Sequence, residues 1–287
     1  ETYRLAARLP GIEVVGIDCH IGSQITSIAP FLAAADRVAD LVDELRAAGI
    51  ELRHIDLGGG LGIRYRDEEP PSRQALVQAV LGRLDERLGA GRYEVLFEFG
   101  RSLVGNAGLL LTRVEYLKQA SERRFAIVDA AMNDLIRPSL YDAWHGVVPV
   151  RPRKGAPLVY DIVGPVCESG DWLARERELC LEPGDLLAIE SAGAYAMVMS
   201  SNYNSRGRAA EVMVDGDRAL PLLGCHVLRG THAPVSDARR KAMRGGVSFR
   251  GSVQLIVGVQ GFDETEIRNL YATVCRDHDV GRLQVPV

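Results

Sequence analysis

The sequence predicts an α/β layer followed by a mostly antiparallel β domain, and three observations predict it. Over residues 1–104, short apolar runs alternate with amphipathic helical stretches at a period of about forty residues. Within that stretch the polar and glycine residues gather at the strands' C-terminal ends, where parallel α/β structures place their sites. After residue 105 the helical periodicity gives way to short β-like runs divided by Gly, Pro and charged turns.

The elements follow in order. The run IEVVGIDCH ends at the turn HIGSQ, and IAPFLAAADRVADLVDELRAAG has the i, i+3, i+4 spacing of a helix with a glycine stop. LRHIDLGGG is a second strand and turn, SRQALVQAVLGRLDERLGAG a second helix, and YEVLFEFGRS a third strand. Buried apolar strands in such strand–turn–helix units read as parallel. The β-like runs are GLLLTRVEYLKQ, RRFAIVDAAM, APLVYDIVGPVC, DLLAIES and AEVMVDGD, with AWHGVVPVRPRKGAP as a Pro-rich loop. GDLLAIESAGAYAMVMSS reads as a strand and then a short helix capped by Ser191. From residue 218 only a strand at 253–259 and a helix at 263–275 stand out, so the expected organisation is 1–104, 105–217 and an atypical tail at 218–287.

A chain of 287 residues with net charge −4 and no polybasic run argues against nucleic-acid or membrane-surface binding. No apolar run has the length of a membrane span, the opening ETYRLAARLPG is no signal peptide, and the expectation is a cytoplasmic protein. The five cysteines, at 19, 167, 180, 225 and 275, are odd in number and form no C-x-x-C pair, so no metal site and no disulfide framework are expected. Of 34 basic residues only Lys118, Lys154 and Lys241 are lysines.

Each candidate residue has a bland reading beside its chemical one. The glycines of LGGGLG (Gly58, Gly59 and Gly60 among them) suit a phosphate cradle or a tight turn. In EFGRS, Glu98 suits a protonated heterocyclic nitrogen, and the segment Gly100–Arg101 suits a phosphate or carboxylate; the bland reading is a local ion pair. His20 and Ser23 of HIGSQ, Arg137 and Tyr141 of IRPSLYDAWH, and Tyr195 of SAGAYAM divide in the same way between ligand contacts and structural roles. Cys167 and Glu168 sit side by side in GPVCESGD, where the thiol is a metal ligand, a nucleophile, one half of a disulfide or something rarer.

Together HIGSQI, DLGGGLGI, EFGRSLVGNAG, VDAAMNDLIRPSLYDAWH, GPVCESGD and GDLLAIESAGAYAMVMSSNYNSRGRAAEVMVDG, in this order, resemble the diaminopimelate decarboxylase family. The resemblance covers roughly residues 1–217. It implies the C-terminal part of an alanine racemase-like (β/α)8 barrel that binds pyridoxal 5'-phosphate, followed by the β domain. It also implies the conversion of meso-2,6-diaminopimelate to L-lysine and CO2. By that resemblance His20 stacks on the cofactor ring, Ser23, Gly58–Gly60 and Gly100–Arg101 hold the phosphate, and Glu98 pairs with the ring nitrogen. Arg101, Arg137 and Tyr141 grip the distal carboxylate, Glu168 reads the distal amino group, and Tyr195 lies near both cofactor and substrate. Cys167 is the proton donor that follows loss of CO2, reaching the site from the second subunit of a homodimer.

The chain departs from the family in four places. The family anchors its cofactor on a lysine of an early barrel strand, and no lysine precedes Lys118. The expectation is therefore an N-terminally truncated chain, inactive and poorly stable by itself. Phe99 stands where the family usually has proline, which predicts a less firmly set turn at Glu98, and Gly207 and Ala209 also replace usual prolines. The tail has no family counterpart and is compatible with a frameshift or fusion. The alternatives are a catalytically dead homologue that binds a ligand or partner, and an ornithine- or arginine-type decarboxylase of the same fold.

Overall fold

In a computed structural model, residues 1–215 and the two strands at 218–221 and 255–259 are described. Two compact units result, Glu1–Leu103 and Val104–Val287.

The first unit is α/β. It runs α1 (Thr2–Ala6), β1 (Gly16–Asp18), α2 (Ala29–Ala47), β2 (His54–Asp56), α3 (Arg73–Leu88), β3 (Glu94–Leu96) and α4 (Gly100–Val104), the last ending at the unit boundary. The strands form a parallel sheet in the order β1-β2-β3, with Ile17 beside Ile55 and Ile55 beside Val95. Each strand is three residues long, much shorter than its apolar run, and single backbone bonds such as Cys19 N–H to Asp56 O at 3.1 Å carry the pairing on into the turns. α2 starts with Pro30 in its first turn and buries Phe31, Ala35, Val38, Ala39, Val42 and Leu45 along one stripe. α3 starts at Ser72, whose hydroxyl accepts the Ala75 N–H at 3.1 Å, and buries Leu76, Val80, Leu84 and Leu88. Both stripes pack on Ile17 and Ile55 in one apolar cluster, and outside it Asp36 joins Arg83 and Arg87.

The second unit is a mixed, mainly antiparallel sheet. Its strands are β4 (Gly108–Gln119), β5 (Arg124–Val128), β6 (Val147–Pro149), β7 (Leu158–Val163), β8 (Trp172–Leu179), β9 (Leu186–Ile189), β10 (Ala210–Asp215), β11 (Arg218–Pro221) and β12 (Leu255–Val259). Among the described residues one α-helix, α5 (Arg137–Tyr141), interrupts them. The strand order is β11-β10-β12-β4-β5-β7-β8, with β9 on β4 and β6 on β9; only β5–β7 and β10–β12 are parallel. β4 covers the predicted run GLLLTRVEYLKQ and serves two neighbourhoods: its first half pairs with β9 and β12, its second with β5. Leu110, Val114, Val128, Ile162, Leu173, Leu187 and Ile189 form the core between them.

Two expectations need correction, and one strand is unanticipated. The stretch AWHGVVPVRPRKGAP is not all loop, because Val147–Pro149 pairs antiparallel with β9. WLAREREL, which the sequence reading does not single out, is β8. Ser191 caps no helix: it sits at φ 56° and its hydroxyl accepts from Asn106 Nδ2 at 2.8 Å, while the short 3-10 turn Met197–Met199 follows Ala196 with no side-chain cap. The tail strand expected at 253–259 corresponds to β12, and the helix expected at 263–275 lies outside the described residues.

Candidate functional site

In the first unit, the loops after the three strands meet backbone to backbone. Ile25 N–H donates to Gly60 O at 2.9 Å, Gly62 N–H to Ile25 O at 2.9 Å, and Glu98 N–H to Gly58 O at 2.8 Å. The three glycines explain this closeness. A Cβ at Gly58 would lie 2.3 Å from Cys19 O, at Gly59 2.3 Å from Glu98 O, and at Gly60 2.4 Å from Gly22 O. Gly58 and Gly60 also have φ of +65° and +97°, open to glycine at little cost. The amides of Gly58 and Gly59 are engaged internally, by Asp56 Oδ1 at 2.8 Å and His20 Nδ1 at 3.3 Å. The triplet is thus first a device for joining three loops.

Around it stand side chains suited to an anion. Arg101 Nη2 donates to Ser23 Oγ at 2.8 Å, and Nη1 donates to the hydroxyl of Tyr65, whose ring lies 5.7 Å from the guanidinium. His20, Ser23 and Glu98 are exposed, and Arg101 is half-buried. At the Glu98 turn Gly100 N–H donates to Glu98 O at 2.8 Å, and the Phe97 and Phe99 rings stack at 5.0 Å. A guanidinium, a hydroxyl and a carboxylate on adjoining loops form a donor and acceptor set that fits a phosphorylated pyridine. Sequence reasoning missed Tyr65, which sits in an unremarkable loop and is brought to Arg101 only by folding.

In the second unit, Cys167 and Glu168 are exposed neighbours on the loop between β7 and β8. Glu168 Oε2 accepts from the hydroxyl of Tyr203 at 3.3 Å. The loop is closed by Asp171: its Oδ2 accepts Val166 N–H at 2.7 Å and its Oδ1 accepts Met132 N–H at 2.6 Å. Burial pushes the Asp171 carboxyl above its ordinary range, against the pull of those two N–H groups.

Arg137 and Tyr141 share α5, but their environments differ. Tyr141 is exposed, whereas Arg137 is buried and its Nη1 lies 2.8 Å from His145 Nε2. His145 is fully buried and its Nδ1 lies 2.8 Å from Glu190 O. A carbonyl only accepts, so Nδ1 carries the proton and Nε2 accepts from Arg137. Tyr195 is partly exposed at φ 61°, on a turn whose Gly193 packs so tightly that a Cβ would meet Val104 O.

Near these groups lies a charged cluster that sequence reasoning did not find, its acids buried and its arginine partly exposed. Arg206 donates through Nε to Asn133 Oδ1 at 2.9 Å and through Nη2 to Asp129 O at 2.6 Å, and lies 3.8 Å from Asp134. Asp134 Oδ2 accepts Ala131 N–H at 2.9 Å. Burial is the main cause that pushes Asp134 up to about 6; Asp129 and Asp171 add to it, and the Ala131 N–H and Arg206 oppose it. The motif VDAAMND was visible in the sequence, but nothing local to it shows that NSR supplies its cation.

Among the described residues no group of three or more His, Cys, Asp or Glu side chains is placed to hold a metal ion, and no helix is long and apolar enough to cross a membrane. Lys118 lies on β4 and Lys154 in the loop before β7; Lys241 lies outside the described residues.

Comparison with known proteins gives concordant results. Residues 15–193 match the family model for the pyridoxal-dependent decarboxylase C-terminal sheet domain. A diaminopimelate decarboxylase of Pseudomonas fluorescens is 63% identical over 220 residues, covering 77% of this chain and 52% of that protein. The solved diaminopimelate decarboxylase of Helicobacter pylori, complexed with L-lysine, is 40% identical with a TM-score of 0.70, over 76% of this chain and 54% of that one. That of M. jannaschii, also with L-lysine, is 39% identical with a TM-score of 0.72, over 76% and 51%. The chain spans about half the length of the curated relatives it matches. Its two units have the alanine racemase-like fold of these neighbours, a parallel barrel segment and then the mixed sheet domain.

Proposed function

We propose, from the premise that the chain belongs to the pyridoxal-dependent decarboxylase family, that its residues serve the decarboxylation of meso-2,6-diaminopimelate to L-lysine and CO2. The observation that supports this reading most is a thiol and a carboxylate, Cys167 and Glu168, exposed side by side on one hydrogen-bonded loop. When bound, pyridoxal phosphate supplies the electron sink for the pair released as CO2 departs. Ser23 and the Gly100–Arg101 segment hold its phosphate, with Gly58, Gly59 and Gly60 shaping the loops around it. Glu98 keeps the ring nitrogen protonated, and His20 covers the ring face. Arg101, Arg137 and Tyr141 take the distal carboxylate, Glu168 takes the distal ammonium, and Tyr195 borders cofactor and substrate. Cys167 would give its Sγ proton to the carbon that lost CO2. In this reading the enzyme is a cytoplasmic homodimer whose sites are shared between subunits. The covalent anchor for the cofactor is a lysine supplied outside residues 1–103, which contain none.

The test is L-lysine release from meso-2,6-diaminopimelate with added cofactor. It is run on the 287-residue chain alone and on the chain complemented with the lysine-bearing half of the Pseudomonas fluorescens relative. Lysine release is expected only after complementation, and turnover by the chain alone would overturn the incompleteness. Preference for ornithine or arginine in the complemented enzyme would overturn the substrate. Cofactor binding without turnover of any of the three would favour the dead-homologue reading.

A further inference from the structure

Cys167 and Glu168 are exposed, so side-chain packing does little to fix where they point. An exposed side chain of this kind is aimed by its backbone, and the backbone of residues 164–171 converges on one buried group. Asp171 is 4% exposed, and each of its carboxylate oxygens is matched to a main-chain donor on a different segment. Oδ2 takes Val166 N–H, one residue before the thiol, and Oδ1 takes Met132 N–H, from the loop after β5. Its own backbone closes the turn, since Gly164 N–H donates to Asp171 O at 3.1 Å and Asp171 N–H donates to Glu168 O at 3.0 Å. Glu168 N–H in turn donates to Val166 O at 2.8 Å, so the thiol-bearing residue is strung between two bonded neighbours. From the far side Ser139 Oγ, on α5, donates to Gly170 O.

Gly164 shows how tightly the carboxylate is lodged. A Cβ there would lie 2.4 Å from Asp171 Oδ2 and 2.5 Å from Oδ1. Its φ is not in the left-handed region, so the glycine is required by the carboxylate rather than by the backbone. An ordinary catalytic base would leave an oxygen open to the substrate, whereas both oxygens of Asp171 are occupied by N–H groups.

We propose that Asp171 is a positioning residue for Cys167 and Glu168, its carboxylate fixing through the amides of Val166 and Met132 the loop that aims both side chains. The inference rests on the reading of Cys167 as proton donor and Glu168 as reader of the substrate amine. No hydrogen bond joins the carboxylate to either side chain, so its hold on Cys167 runs through the main chain, while Glu168 also feels the carboxylate as a like charge. An amide in place of the carboxylate keeps the volume but turns one acceptor into a donor aimed at an N–H.

The experiment compares the wild-type chain with Asp171→Asn and, as an independent perturbation that keeps the charge, Gly164→Ala. In the cofactor-free chain, hydrogen exchange at the Val166 and Met132 amides is expected to rise about tenfold in both variants. The alkylation rate of the Cys167 thiol should change along with it. In the complemented, cofactor-loaded enzyme, kcat should fall about a hundredfold and KM for meso-2,6-diaminopimelate should rise, with cofactor affinity unchanged. Unaltered exchange in both variants overturns the clamp. Exchange that rises while kcat and KM stay at wild-type values overturns the positioning role. Wild-type enzyme that does not turn over diaminopimelate overturns the functional reading, and the exchange data still decide the clamp.

Discussion

The two units hold their candidate residues by opposite means. In the first, Gly58, Gly59 and Gly60 let three loops touch main chain to main chain, with His20 bonded to the Gly59 amide and Ser23, Glu98 and Arg101 around them. In the second, Arg137, His145, Asp134, Asp171 and Arg206 reach inward, and buried charged groups fix the loops from beneath. One unit is organised by the absence of side chains, the other by ionisable ones. The difference teaches where each is vulnerable: the first to added volume, the second to lost charge and to pH.

The largest expected effect sharpens the second half of that contrast. Asp134 titrates at about 6 in the folded protein, against 3.8 for the ordinary group. The native state therefore holds the proton more tightly. The stabilisation from protonation is complete below about pH 4 and is lost as pH rises through 6, an amount of about 3 kcal/mol. Asp134→Asn removes the titration, so the stability of the variant relative to wild type should climb between pH 4 and pH 7 in urea titrations. A flat difference would place the pH sensitivity elsewhere.

A smaller effect should break the first unit instead. Gly59→Ala sets a methyl 2.3 Å from Glu98 O, a carbonyl with little room to withdraw, and should cost about 2 kcal/mol. That loss should differ little between pH 4 and pH 7, because the clash is with a backbone carbonyl and the His20 ring stands off at an ordinary 3.6 Å. A pH-dependent loss would erase the distinction between the units. The smallest, Ser72→Ala, removes the α3 cap and should cost about 1 kcal/mol without changing exchange at Val166 or Met132.

What the sequence made legible follows the same division. Residues 1–104 signal their strands, helices and glycine turns locally, and β4 spans its predicted run from Gly108 to Gln119. β6 escaped because three residues inside a Pro- and Arg-rich stretch have no pattern of their own; β9 makes them a strand. β8 escaped because its burial follows no strict alternation: Leu173 and Ala174 are both buried, and Arg175 and Glu176 both exposed. Ser191 looked like a cap because serine before a small-residue run usually is one, but its left-handed backbone leads into a tight turn. The motif residues with candidate roles were legible as a resemblance. Their supports were not: His145 under Arg137, Tyr203 beside Glu168 and Arg206 beside Asp134 are joined only by folding.

The glycine triplet has a consequence for descent. Because each of the three hydrogens faces a backbone carbonyl, selection for folding alone keeps LGGGLG in place after any ligand has been abandoned. A lineage that lost its chemistry would shed Ser23, Arg101 or Cys167 at little cost in stability and retain the triplet almost indefinitely. The most recognisable signature in the chain is therefore the poorest witness to whether a descendant still works.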